Sequence, residues 1–267
     1  MKAARKSSVV SKKGTPWGTI IAVIAVVALA ASVFTVYLVQ SAPKREQKSR
    51  EEAAAAFAPS ASNPDPSKGI AGVITAQYAA GAHVLATERV AYDKTPPFGG
   101  PHDGVWAACT GVVYPTAVRT ENMVHGLEHG AVWIAYNPDK ITGPALDELK
   151  VRVNGKPYSM MSPYPGLDQP ISLQSWGHQL KLTDANDPRI DQFIAALRSN
   201  PNGVYPEIGA SCDAQGPGQF DPDNPPPFDP SKPGKDAKPM DYKGTQTAQQ
   251  DQTGGAGQQP PAGLPGQ

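Results

Sequence analysis

The sequence predicts an α+β fold: a compact domain with an antiparallel or mixed sheet and a few helices, preceded by one transmembrane helix. Three observations predict this arrangement. A long uncharged apolar run stands near the amino terminus, short apolar runs alternate with helical patterns in the middle, and the carboxy-terminal segment is rich in Pro, Gly and Gln. The foldable part therefore occupies the middle of the 267 residues.

Residues 18–39 form the apolar run, which carries no charge and is dominated by Ile, Val, Ala and Leu. About 20 such residues span the hydrocarbon core of a bilayer as a helix. Trp17 and Tyr37 stand near the two ends, where aromatic rings favour the membrane interface. The run lacks amphipathic periodicity, which argues against a buried core helix, and a poor cleavage site follows it. We predict an uncleaved transmembrane helix over 17–40 after a basic cytoplasmic tail over 1–16.

The cysteines predict on which side of the membrane the domain lies, because basic residues flank both ends of the apolar run. Cys109 and Cys212 are the only cysteines, and an isolated pair that brackets a soluble domain suits an oxidising exterior. We therefore predict a Cys109–Cys212 disulfide in a single-pass protein of the cytoplasmic membrane whose carboxy-terminal domain is extracytoplasmic. Two buried thiols are the alternative.

Composition divides the rest of the chain into three segments. Residues 41–68 begin with a charged stretch that continues the membrane helix and end in a Pro- and Ser-rich break, which is typical of a stalk and linker. Residues 69–212 hold the patterned middle and form the predicted α+β domain. Residues 213–267 have few apolar clusters, so burial cannot offset the loss of chain entropy, and we predict a disordered tail.

Apolar runs between turn signals predict the strands of the domain, over 131–136, 158–162, 171–175 and 179–182. One helix is predicted over 144–153, and a second begins at Asp187 and Pro188, an N-cap followed by a first-turn proline. The apolar residues of the second helix recur at helical spacing and define one buried face: Ile190, Phe193, Ile194 and Leu197.

One segment in the middle of the chain concentrates two of the five histidines and a glutamate within one helical turn. On a helix, His125 and His129 would stand at i and i+4 on one face, where two imidazoles can share one metal ion. With Glu128 they also spell H-x-x-E-H, the pattern that inverzincin metalloproteases use for zinc and a general base. Gly126 and Gly130 weaken the helix by about 1 kcal/mol each, and a strand follows at once. Metal binding is therefore favoured over hydrolysis.

Two further histidines precede this segment. His102 follows a Pro- and Gly-rich loop that can hold a side chain at a fixed place, and His83 stands just before a predicted strand. Three or four histidines brought together suit zinc or copper, since imidazole is a good ligand for either. We therefore predict a metal site built from His83, His102, His125, His129 and Glu128. The alternative is that these histidines are hydrogen-bonded scaffold residues.

Charge and missing motifs argue against other classes of protein. Lys plus Arg and Asp plus Glu each number 24, so the formal net charge is zero and a nucleic-acid partner has no electrostatic support. No G-x-S-x-G, P-loop or G-x-G-x-x-G motif occurs, and two distant cysteines do not make a C-x-x-C redox motif. Binding is therefore favoured over catalysis, and we expect no nucleophilic enzyme.

Four motifs of the domain stand together in sequence order: PPFGGPH at 96–102, VHGLEHGAVWIAY at 124–136, SWG at 175–177, and Pro206-Glu207 before Cys212. They resemble the bacterial family called domain of unknown function 3105, and the similarity covers roughly residues 69–212. Actinobacterial members look like this chain in having an amino-terminal membrane anchor and two cysteines. The resemblance places the five predicted ligands on motif positions of the family but brings no established activity. His178 stands where other members commonly carry a different residue, so we leave it out of the site.

The preferred hypothesis is a membrane-anchored cell-envelope protein whose extracytoplasmic domain binds a metal, zinc or copper, or a small ligand. One alternative is a non-catalytic accessory subunit of a larger envelope membrane complex, held there by its anchor, stalk and tail. A less favoured alternative is a zinc hydrolase that uses H-x-x-E-H, with Glu207 as the third ligand.

Overall fold

The computed structural model describes residues 16–216 and 218–244. Helix α1 extends over Trp17–Ala54 and is followed by a 3-10 turn, Ala55–Phe57. Its apolar part has a mean hydropathy of 2.7 and no buried residue, so α1 is long and apolar enough to cross a membrane. Apart from Pro16, the predicted basic tail lies outside the described residues.

The chain divides into two compact units, Met1–Arg50 and Glu51–Gln267. The second unit contains eight described strands and three long α-helices, which in chain order are β1 Ile74–Thr75, β2 His83–Val84, β3 His102–Asp103, β4 Thr110–Val113, α2 Thr120–Glu128, β5 Val132–Tyr136, α3 Gly143–Val153, β6 Ser159–Pro163, β7 Ile171–Ser175, β8 His178–Leu182 and α4 Arg189–Leu197.

Six of these strands form one sheet in the order β1-β8-β7-β5-β6-β4, and β2 pairs separately with β3. The pairs β4–β6 and β5–β6 are parallel, whereas β5–β7, β7–β8 and β1–β8 are antiparallel. The predicted α+β fold with a mixed sheet is therefore confirmed.

Strand β5 crosses the middle of the sheet, and its side chains alternate between two cores. Val132, Ile134 and Tyr136 face the core that contains α3 and α4. Trp133 and Ala135 face the core that contains α2 and the cysteines. Because both faces of this strand are covered, its sequence is a continuous apolar run rather than an alternating one.

The predicted elements of the domain match the observed ones closely. The four predicted strands differ from β5 to β8 by at most one residue at each end, and α3 begins one residue before its predicted start. The helix α4 begins at Arg189, one residue after the proline predicted for its first turn. The carboxylate of Asp187 accepts a hydrogen bond of 2.9 Å from the backbone N–H of Arg189 at this start. The four residues predicted to form its apolar face are all buried.

Cys109 and Cys212 form a disulfide across a sequence separation of 103 residues, as predicted. Both cysteines lie in the core on the α2 side of the sheet. The backbone N–H of Cys109 also donates to the carbonyl of Cys212 at 2.9 Å. The bond therefore ties the edge next to β4 to the segment that follows α4.

The carboxy-terminal segment differs from the disordered tail predicted over 213–267. Residues 218–244, called the strap from here on, lie against the domain, and Phe220 is fully buried with its ring 6.0 Å from that of Tyr114. The strap also pairs with two loops of the domain through isolated bridges, Val118 with Pro227 and Val90 with Lys238. Composition missed this because the few apolar residues of the strap fit the domain surface rather than one another. Residues 245–267 lie outside the described part of the chain.

Candidate metal centre

Helix α2 places two of the predicted ligands, and its end places a third. His125 and Glu128 lie on the helix and are fully buried, and His129 is the residue that caps its carboxy terminus. The helix is buried along its whole length because it lies between the sheet and the loops that precede it. The H-x-x-E-H pattern is therefore helical, but the helix has only nine residues.

The two glycines of this segment are required for different structural reasons. Gly130 has a φ of +91° and donates to the carbonyl of Leu127, while Ala131 donates to that of Gly126, which is the Schellman pattern that ends a helix. Gly126 lets the helix approach the sheet, since a Cβ there would lie 2.9 Å from Cε of Met160. The helix therefore ends just before Gly130, one of the two glycines predicted to weaken it.

Two further ligands are brought side by side by the short parallel pair of β2 and β3. His83 is the register partner of His102, and the backbone N–H of His102 donates to the carbonyl of Ala82 at 3.0 Å. This pair is fastened to α2, because Nδ1 of His125 lies 2.6 Å from the carbonyl oxygen of Asp103 in β3. Loop histidines and helix histidines thus meet at one place.

The predicted ligands converge into two overlapping groups, in each of which one ligand atom per residue lies within 4.8 Å of the others. The inner group consists of His83, His102, His125 and Glu128, and the outer group consists of His125, His129 and Glu207. Every predicted ligand belongs to one of these groups, and His125 belongs to both.

The backbone fixes the orientation of three imidazole rings. In each of them Nδ1 lies 2.6 to 2.8 Å from a carbonyl oxygen. A carbonyl oxygen only accepts, so Nδ1 carries the proton and the lone pair of the neutral ring lies on Nε2. Metal-bound histidines typically have this arrangement, in which the other ring nitrogen donates to a carbonyl or carboxylate. The three rings and their acceptors are His102 with Gly100, His125 with Asp103, and His129 with Ser211.

One contact within the inner group brings two hydrogen-bond acceptors together. Nε2 of His102 lies 2.7 Å from Oε2 of Glu128, and both side chains are completely buried. Neither atom makes a hydrogen bond of normal geometry with any described residue. The other carboxylate oxygen, Oε1, accepts from the backbone N–H of Gly81 at 2.8 Å. A neutral imidazole nitrogen and a carboxylate oxygen are both acceptors, so a proton or a metal ion is needed between them.

Burial favours the neutral form of two inner histidines, His83 and His125. Desolvation, together with the neighbouring His102, lowers the pKa of His83 to about 4. Desolvation and the surrounding histidines also hold the pKa of His125 well below its ordinary value. In the outer group, the contact with the imidazole of His129 lowers the pKa of Glu207, which favours the carboxylate. His83 and His125 therefore favour the neutral imidazole and Glu207 the carboxylate, the forms in which these groups bind metals.

A family model described as "Protein of unknown function (DUF3105)" matches residues 83–214. The predicted resemblance to DUF3105 is confirmed. The matched residues contain all members of both groups, together with both cysteines. No curated protein and no solved structure matches the chain.

Glu207 has a weaker sequence signal than the other residues of the two groups. The sequence suggests it only as the third ligand of a hydrolase, and its Tyr-Pro-Glu context indicates a loop rather than a helix. In the structure its backbone N–H donates to the carbonyl of Glu128 at 3.2 Å, and its Oε2 lies 3.1 Å from Nε2 of His129. In the sequence, the predicted disulfide of nearby Cys212 is the one indication that this loop returns to the domain.

His178 lies apart from both groups, as expected from its omission from the predicted site. Its Nδ1 lies 2.6 Å from the carbonyl oxygen of Trp176, and its Nε2 lies 3.2 Å from Oδ2 of Asp65. This histidine is a hydrogen-bonded scaffold residue that joins β8 to the segment before β1. The other four histidines of the sequence belong to the two groups.

Proposed function

We propose that the DUF3105 domain binds one divalent transition-metal ion in the inner group and that it does so without catalysis. The observation that carries this proposal is the buried contact between Nε2 of His102 and Oε2 of Glu128. An ion bound to both atoms converts two opposed acceptors into two ligands, and His83 and His125 complete the set. Without a cation, the domain would have to hold two opposed acceptors in its interior, Nε2 of His102 and one carboxylate oxygen of Glu128.

Zinc is the ion that the donor set fits best. Three imidazoles and one carboxylate give four nitrogen and oxygen ligands, a number and type that zinc takes in tetrahedral sites. Copper(I) prefers thiolate and thioether ligands, and the adjacent methionines Met160 and Met161 lie in the two opposite cores of the sheet. The inner group therefore favours zinc over copper.

The domain is proposed to lie outside the cytoplasmic membrane, with α1 as a single-pass anchor. An apolar helix of sufficient length supports the anchor, and the disulfide supports an oxidising compartment. The same features suit an accessory subunit of an envelope complex, and that alternative stays a prediction.

The metal proposal is tested on the full chain in detergent, because the strap is part of the folded unit. After treatment with a chelator, the chain is titrated with zinc by calorimetry and its affinity and stoichiometry are measured. We expect one ion per chain, and a loss of binding in the His102→Ala and His125→Ala variants. His178→Gln is the matched control, since it changes a buried histidine outside both groups. Absence of zinc and copper binding by the wild-type chain would refute the proposal.

One observation favours zinc hydrolysis as a second candidate function. The outer group joins both histidines of H-x-x-E-H to Glu207, which is the ligand set that a hydrolase with this motif requires. Glu128 would then act as the general base rather than as a ligand. The Glu128→Gln variant separates the two functions: a hydrolase keeps its zinc and loses chelator-sensitive peptide cleavage, whereas the inner site loses affinity for zinc.

A further inference from the structure

The two ligand groups share one residue and one usable atom. His125 belongs to both groups, and its Nδ1 donates to the carbonyl of Asp103 at 2.6 Å. Only Nε2 of this ring is therefore left to bind a metal, and one imidazole nitrogen coordinates one ion. An ion in the inner group and an ion in the outer group would compete for the same atom. The cluster thus has two positions for one ion rather than two independent sites.

The two positions differ in their access to solvent. The side chains of His102 and Glu128 have no exposed surface, and that of His129 is 3% exposed. The side chain of Glu207 is 38% exposed, which makes it the most accessible carboxylate of the cluster. An ion that approaches from solvent therefore meets Glu207 before any inner ligand.

The strap covers the loops of two inner histidines. A Cβ added to Gly244 would lie 3.1 Å from the backbone nitrogen of His83, and one added to Gly100 would lie 2.5 Å from Cε of Met240. The end of the strap thus packs against the two loops that carry the inner histidines His83 and His102. Of the residues in the two groups, Glu207 therefore has the most exposed side chain.

We propose that the outer group is the loading position of the metal centre, from which a single divalent ion passes to the inner group through the shared His125. This inference rests on the metal binding proposed above. The ion first exchanges water for Glu207 and His129, and it then exchanges these two ligands for His83, His102 and Glu128 while His125 stays bound. The exchange replaces like with like, because each position supplies one carboxylate and otherwise imidazoles.

The test follows cobalt(II) uptake by the full chain in stopped flow, since tetrahedral cobalt absorbs visible light more strongly than hydrated cobalt. Glu207→Gln removes the accessible carboxylate of the loading position and keeps its backbone hydrogen bond to Glu128. We expect uptake and chelator-driven release to slow together by roughly tenfold, as for the loss of a group that assists metal binding. A position on the path lowers the barrier in both directions, so both rates change.

Asp213→Asn is the matched control. It removes one exposed carboxylate from the same segment and should leave both rates at the wild-type level, which excludes a general effect of charge. If cobalt uptake and release in Glu207→Gln are as fast as in the wild type, the outer group is not the loading position. Simultaneous binding of two cobalt ions by the wild type would overturn the shared ligand. A wild-type chain that binds no metal would refute the proposed function itself, and this inference with it.

Discussion

His102 and Glu128 come from elements far apart in the sequence, and the structure places Nε2 of one 2.7 Å from Oε2 of the other inside the domain. The ring of His102 is turned so that its proton-bearing Nδ1 lies 2.8 Å from the carbonyl oxygen of Gly100. The backbone thereby directs a lone pair at a carboxylate, which is unfavourable in a protein interior unless a cation joins the two.

Glu128→Gln is expected to raise the stability of the metal-free domain. The glutamine keeps an oxygen that can accept from Gly81 and turns an NH₂ donor toward Nε2 of His102, which satisfies both groups. Because an unsatisfied buried group costs about 1 to 3 kcal/mol, the free energy of unfolding should rise by an amount of that order. Denaturant unfolding in the presence of a chelator measures this change. The same variant should no longer be stabilised by added zinc.

The competing account of this contact predicts the opposite sign. If a proton rather than a metal joins the two side chains, the wild-type pair is an imidazolium and a carboxylate. Replacing the carboxylate would then leave a buried positive charge without its partner and lower the free energy of unfolding. A destabilised Glu128→Gln variant whose unfolding is indifferent to zinc would therefore contradict the metal centre.

Removing the disulfide should destabilise the domain strongly. For a closed loop of about 100 residues, the chain-entropy model gives a loss of about 4 to 5 kcal/mol in the Cys109→Ser and Cys212→Ser double variant. The bond also holds the segment of Ser211, whose carbonyl accepts from Nδ1 of His129. Unfolding with and without reductant measures the effect. Reductant should shift the wild type and leave the double variant unchanged; no shift in the wild type would contradict the prediction.

The cap of α4 gives a prediction that depends on pH. Asp187→Ala removes the carboxylate that accepts from the N–H of Arg189 and should cost about 1 kcal/mol near neutral pH. A hydrogen bond from Arg189 lowers the pKa of this carboxyl from its ordinary value of 3.8. The stabilisation is therefore present above about pH 4 and is lost as the pH falls through the lower folded pKa.

Unfolding of this variant is compared with the wild type at neutral pH and in acid. The difference in the free energy of unfolding should shrink in acid, because the wild-type carboxylate becomes protonated. Asp147→Ala is the control, since that exposed carboxylate pairs with Lys150 on the surface of α3 and should change stability little at either pH. A difference that grows in acid would show that Asp187 does not act as a cap.

The strap is expected to contribute measurably to stability. Phe220→Ala empties a fully buried aromatic position and should cost about 3 to 5 kcal/mol. Lys232→Ala, at an exposed position of the strap, is the control and should leave the free energy of unfolding nearly unchanged. If the two variants behave alike, the strap does not pack in solution and the tail is disordered as its composition predicts.

The sequence predicts the strands and helices best where periodicity and turn chemistry agree. The AVWIAY run and the Asp187-Pro188 start each combine an apolar pattern with a local stop or start signal. Periodicity and turn chemistry could not predict that the histidines of the site lie close together. His83 and His102 meet through two-residue strands, which are too short to leave a pattern, and their register depends on the surrounding fold.

Other features depend on contacts that composition does not encode. Glu207 enters the site through a backbone hydrogen bond to the end of α2, and the strap is ordered by the surface of the domain. In both cases a polar or proline-rich segment has no core of its own and takes its conformation from its neighbours. The spacing of His125 and His129 indicated a metal, but only the fold shows which further ligands are within reach.

The central claim is that the inner group holds a metal ion through three imidazoles and one carboxylate. Zinc K-edge X-ray absorption on the full chain, loaded with one equivalent of zinc in detergent, tests it most directly. We predict a four-coordinate spectrum with imidazole scattering from three histidines and metal–ligand distances of about 2.0 to 2.1 Å. A spectrum of six-coordinate hydrated zinc, identical in the wild type and in His102→Ala, would contradict the claim.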